Sequence, residues 1–165
     1  MQSPEGWDRQ QRIIQDTESP SINAALPAPP VGGPDVQAKF YADYLRHRRQ
    51  EVRFAALTAL QKLGNAVATP SVAESVVSTL DEDLIDDRFV ALALDVLCAC
   101  GGVAQCGIPA IVRVAMSSST LAAAAAKTLL SIGEAGIVAL LDVVSGASNG
   151  CESVLLYVIE VYICL

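Results

Sequence analysis

EVRFAALTALQKLG (Glu51–Gly64) and LAAAAAKTLLSIG (Leu121–Gly133) decide the fold. In the first stretch Val52, Ala55, Ala56, Ala59, Leu60 and Leu63 fall on one side of a helix, and Gly64 stands where a helix can end. The second repeats it: Leu121, Ala124, Ala125, Leu129, Ile132 and Gly133 superimpose on Val52, Ala55, Ala56, Leu60, Leu63 and Gly64 with a shift of 69 residues. That is two units of about 34. Between them lies DRFVALALDVLCAC (Asp87–Cys100), stopped by Gly101–Gly102. Arg53–Phe54 aligns with Arg88–Phe89 at a shift of 35, and Gly64 with Gly101 at 37, which implies a small insertion in the middle copy.

Each of these helices has a partner before it. DVQAKFYADYL opens at Pro34–Asp35 and puts Val36, Phe40, Tyr44 and Leu45 on one face. SVAESVVSTL (Ser71–Leu80) follows Pro70, and GIPAIVRVAM (Gly107–Met116) precedes the corner SSS. AGIVALLDVV (Ala135–Val144) precedes CESVLLYVIEVYICL (Cys151–Leu165). Ile108–Ala110–Ile111 and Ile137–Ala139–Leu140 recur 29 residues apart. Two helices per unit and a period near 30–37 are the signature of a helical solenoid. A hairpin apolar on more than one face buries that surface by stacking on its neighbours. The expectation is an all-α chain of about four stacked hairpins over residues 35–165, with no strand.

Residues 1–34 differ. They hold six of the eight prolines and no helical or alternating period, and read as a flexible arm. Its patch LPAPPVGGP either tethers or docks as a polyproline segment.

Composition narrows the function. In 165 residues, enough for one core, apolar residues are 52% and aromatics 5%, as in closely packed Ala/Val/Leu helices. The net charge of −7 comes entirely from residues 54–165, with eleven acidic and four basic side chains, so a protein partner with a basic surface is expected rather than nucleic acid. The start MQSPEGWDRQ has no apolar signal region, and the run Val154–Ile159 is far shorter than a membrane span. Five cysteines, an odd number, fit free thiols. A cytoplasmic protein without a membrane span is expected.

Residues that could carry chemistry are few. The only histidine, His47, sits between arginines in a corner, and no nucleophile motif accompanies it. Cys98 and Cys100 face different ways on a helix and, with Cys106, lack a fourth zinc ligand at usual spacing. Gly101–Gly102 ends a helix and follows no strand. No catalytic residue, cofactor or metal is assigned. Two charged corners remain, Arg46-His47-Arg48-Arg49 and Asp81-Glu82-Asp83 with Asp86-Asp87, one repeat apart on one edge. They read either as a solvated rim or as a dipolar edge that orients a partner. The candidate contacts are Arg46, Arg48, Arg49, Asp81, Glu82 and Asp83. CESVLLYVIEVYICL stops in mid-helix, so this end is expected to pack on further repeats or on another subunit.

EVRFAALTALQKLG resembles the second helix of a HEAT repeat, with its acidic residue, Val-Arg, paired alanines, Ala-Leu and closing glycine. GIPAIVRVAM, SSS and LAAAAAKTLLSIG resemble the short HEAT-like form also found in phycobilin lyases, and GIPAIVRV is similar to the third helix of an armadillo repeat. Units of 29–37 residues favour HEAT. The resemblance implies a right-handed superhelix of the armadillo/HEAT type acting as a non-enzymatic protein-binding scaffold. The alternative it implies is a phycobilin-lyase-like accessory protein or chaperone acting on a chromophore-bearing subunit. It also implies a ladder between repeats, with Arg53 and Arg88 at the arginine position and Asp86 and Asp87 as acidic partners, broken where Ala122 or Ala123 replaces arginine. One histidine followed by arginine does not supply the His-Glu pairs of the iron-binding HEAT-repeat enzyme, deoxyhypusine hydroxylase.

Overall fold

The computed structural model describes residues 26–81 and 86–146. Among them it is all-helical, with no strand: α1 Pro34–Tyr44, α2 Gln50–Leu63, α3 Pro70–Asp81, α4 Asp87–Cys100, α5 Ile108–Ser117, α6 Ala122–Ile132 and α7 Glu134–Gly146. Short 3-10 turns, Gly64–Val67 and Gly101–Gly107, follow α2 and α4. The helix expected over Cys151–Leu165, the corner residues Glu82 and Asp83, and residues 1–25 of the expected arm lie outside the described residues.

Local chemistry accounts for the helix limits. Prolines stand in the first turns of α1 and α5 and open α3, where a missing N–H costs nothing. Asp86 caps α4, its carboxylate accepting the Arg88 N–H at 2.9 Å. α2, α4 and α6 each end on a glycine with positive φ, at 57°, 57° and 94° for Gly64, Gly101 and Gly133. With ψ between −134° and −149°, these glycines sit in a region that side-chain-bearing residues avoid. The conformation that stops the helix thus recurs at each of the three positions.

The helices pack in two rows. α2, α4 and α6 form one, each against the next. α1, α3, α5 and α7 form the other, α3 meeting the following hairpin chiefly through the turn Gly101–Gly107. The hairpin pairs α1–α2, α3–α4 and α5–α6 join the rows, and α6 also packs on α7. One continuous apolar core runs from Ala38 to Leu140.

Burial shows the register between repeats. In α4 the buried residues are Phe89, Val90, Ala93, Leu94, Val96, Leu97 and Cys100. A shift of 32 carries them onto Leu121, Ala122, Ala125, Ala126, Thr128, Leu129 and Ile132, every one of them buried. A shift of 37 carries Val52, Ala56, Leu57 and Leu60 of α2 onto Phe89, Ala93, Leu94 and Leu97. α2 and α4 are both 14 residues long, so α4 contains no insertion; the unequal spacing arises outside these helices. Arg88 therefore shares a register with Glu51, and Arg53 with Val90. The Arg-Phe alignment at 35 follows a chemical coincidence, whereas packing follows the glycine.

One further expectation changes. The buried face of α1 is Ala38, Ala42 and Leu45, while Val36 is 50% exposed and Phe40 and Tyr44 are half-buried. Small side chains let α1 settle against α2 and α3, while Tyr44 packs on the edge of the core and Phe40 keeps part of its surface exposed. At the end of the arm, Leu26 is half-buried against the core, and Leu26–Pro29 borders a cleft of about 340 Å³ with Gln37, Tyr41, Thr58 and Lys62.

Asp87–Ser117 is a longer apolar stretch than Val154–Ile159 and, by length and composition, is apolar enough to cross a membrane. It is not one rod: Gly101 breaks it after the 14 residues of α4, which span about 21 Å, short of a roughly 30 Å hydrocarbon core. Much of α4 packs in the interior, through Phe89, Val90, Ala93, Leu94, Val96 and Leu97, whereas Val103 and Met116 are exposed.

Candidate partner-binding surface

The basic corner begins where α1 ends. Leu45 is buried and holds the chain down, and Arg46, His47, Arg48 and Arg49 follow, all exposed. The His47 N–H donates to the Tyr44 carbonyl at 3.1 Å, closing the turn. His47 Nδ1 in turn accepts the Arg49 N–H at 3.1 Å, just where Arg49 takes an extended conformation to cap α2. His47 thus shapes the corner that displays three guanidiniums.

Beside the corner runs the stripe that sequence periodicity places on one face of α1. Val36, Phe40 and Tyr44 sit at i, i+4 and i+8 along α1, and Phe40 packs on Tyr44 at 5.0 Å and edge-on to Tyr41 at 5.5 Å between ring centroids. Partly exposed aromatics next to arginines have the composition of protein interfaces, where Tyr, Phe and Arg are enriched. A signal for this was available: Ala38 and Ala42, small residues one turn apart as Ala122 and Ala126 are in α6, mark the side of α1 that packs.

The acidic corner is used differently. Asp81 ends α3, and Glu82 and Asp83 lie outside the described residues. The Asp86 carboxylate is spent on the N-terminus of α4. Asp87 Oδ2 accepts the Thr120 hydroxyl at 2.9 Å, and Thr120 is bonded to Ser118 at 2.8 Å, so Asp87 ties its corner to the one 33 residues later. Arg53 is half-buried on α2 and Arg88 exposed on α4. Asp86 and Asp87 act here as a cap and a corner tie.

Other polar links share this spacing. Gln61 donates to Asp95 at 3.0 Å across α2 and α4, and the buried Thr128 hydroxyl lies 3.2 Å from the Leu94 carbonyl and 2.8 Å from that of Ala124. The Cys100 thiol lies 3.5 Å from the Val67 carbonyl. These contacts hold neighbouring hairpins in register.

The three described cysteines are free and differ in access. Cys98 is half-buried, Cys100 buried and Cys106 exposed. Among the described residues no group of three His, Cys, Asp or Glu side chains is placed to hold a metal. Burial, helped by the nearby Cys106, pushes the Cys100 thiol from 9.0 up to about 11. The thiolate is the reactive species, so at mildly alkaline pH a thiol reagent is expected to modify Cys106 quickly and Cys100 only as the chain unfolds. Mass mapping of a labelling time course checks this; equal rates at the two sites would contradict it. A raised folded value also means that the unfolded chain loses this proton first as pH rises. Cys100 therefore lowers stability from about pH 9 upward, by at most about 1.4 kcal/mol per pH unit, until the folded thiol ionises near 11.

No family model matches the chain, and neither a curated protein nor a solved structure shows significant similarity to it.

Proposed function

We propose that this chain is a non-enzymatic protein-binding scaffold, a short α-solenoid of HEAT-like hairpins that displays a basic, aromatic docking surface on its first hairpin. What carries the reading is the constant register of α2, α4 and α6. Four buried positions and one helix-ending glycine recur in all three, and each helix packs on its counterpart in the next hairpin. Repetition of this kind makes an elongated array whose job is surface, because each unit contacts only its neighbours and leaves an outer face to solvent.

The surface named is Val36, Phe40 and Tyr44 with Arg46, Arg48 and Arg49. Its aromatic centre supplies contact area and its arginines orient the approach, so the segment it receives is apolar with flanking carboxylates. The acidic remainder of the chain suits a basic partner elsewhere on the array. No observation favours the bilin-binding alternative.

The test is affinity capture with the full chain as bait, comparing wild type with Arg46→Glu/Arg48→Glu/Arg49→Glu. These positions are exposed, so the variant is expected to keep its helical circular dichroism and its melting temperature. One or more proteins held by the wild type should fall at least tenfold with the variant. An unchanged set of captured proteins would remove the basic corner from the function.

A further inference from the structure

We propose that the partner of the α1 surface is a second copy of this chain, joined head to tail, with α7 of one molecule seated on α1 of the next. The inference rests on the reading of α1 and the basic corner as a docking surface. Among the described residues the array begins with α1, packed on α2 and α3, and ends with α7, packed on α6 and α5. Exposed large apolar side chains gather at these ends. Val31 and Val36 stand at one, and Ile137, Val138 and Leu141 of α7, 43%, 53% and 58% exposed, at the other; Val103 and Met116 are the remaining two among the described residues. Ile137 and Leu141 are one helical turn apart, a ridge of the same pitch as Val36, Phe40 and Tyr44.

Charge supplies the direction. α1 and its corner carry Lys39, Arg46, Arg48 and Arg49 against Asp35 and Asp43, whereas α7 carries Glu134 and Asp142 and no basic residue. Two like ends would oppose charges of one sign, while unlike ends bring guanidiniums to carboxylates around an apolar centre. A contact between different surfaces does not close on itself, so it adds copies in a row instead of stopping at a pair. One helix laid on another buries less than the roughly 1,200 Å² of a durable complex, which makes the association reversible and concentration-dependent.

Sedimentation of the full chain over a wide concentration range tests this. The mass is expected to climb past that of a dimer as concentration rises and to fall back in high salt. Arg46→Glu/Arg48→Glu/Arg49→Glu blocks one end, and Ile137→Lys/Leu141→Lys blocks the other. Each variant alone should stay monomeric, while an equimolar mixture should form a one-to-one pair that grows no further. Any of three results would overturn the proposal: wild type monomeric at every concentration, as when the chain's own residues 147–165 cover α7; either variant assembling alone; or a mixture that does not pair. If the wild type is monomeric while capture of other proteins still depends on the arginines, the docking surface stands and only its assignment to a second copy fails.

Discussion

Gly136→Ala is expected to lower the melting temperature by more than ten degrees or to leave the protein insoluble. Gly136 lies in the first turn of α7, and a Cβ there would run into the carbonyl oxygen of Leu129 and stand 2.8 Å from its carbonyl carbon. Those atoms are backbone in the last turn of α6, so no side chain can swing aside, and α6 and α7 would have to separate. Overpacking against a movable neighbour costs about 1–3 kcal/mol; against rigid backbone the cost should reach at least about 3 kcal/mol. At about 4 °C per kcal/mol for a domain near this size, that shift is measurable by thermal unfolding followed by circular dichroism. Gly33→Ala is the control, since nothing lies within 4 Å of a Cβ at Gly33 and its φ of −65° suits any residue. That variant should unfold like the wild type or slightly later. Equal behaviour of the two variants would mean that α7 does not sit this close to α6.

Phe89→Ala should be the costliest truncation in the core, about 3–5 kcal/mol. Phe89 heads the largest fully buried side chains and opens α4, the middle helix of its row. Its ring lies 6.4 Å from that of Phe54 in the preceding hairpin. With Val52 before it and Leu121 after it in the same register, removing the ring leaves a void flanked by both neighbouring hairpins. Leu121→Ala at the next position should cost less, about 2 kcal/mol, because Leu121 is smaller and keeps 6% of its surface exposed. Denaturant midpoints at unchanged slope measure both. The reverse order would place Phe89 away from the centre of the row.

The helices and their limits were legible in the sequence because what makes them is local. Pro34 and Pro70 open helices, Gly64, Gly101 and Gly133 close them, and the apolar period between is that of a single face. The basic corner was legible too, since three arginines within four residues have no apolar environment to enter. The aromatic half of the candidate surface was not. Val36, Phe40 and Tyr44 have the spacing of a buried face, and only contact with α2 and α3 shows that Ala38, Ala42 and Leu45 occupy it instead. Asp86 and Asp87 stand in the charged corner, and only the structure shows that they also bond to a helix end and to a neighbouring corner.

By itself, the order of amino acids determined that the described residues are helical, where each helix starts and stops, and that one helix is written three times. Those properties depend on backbone conformation and on neighbours within one or two turns. Tertiary structure alone decided which face of α1 is buried, that Arg53 corresponds to Val90 and not to Arg88, and that Gly136 must have no side chain. Each of these depends on which atoms another helix brings alongside, and helix spacing of a few ångströms, set by alanines and glycines, is a property of the packed pair.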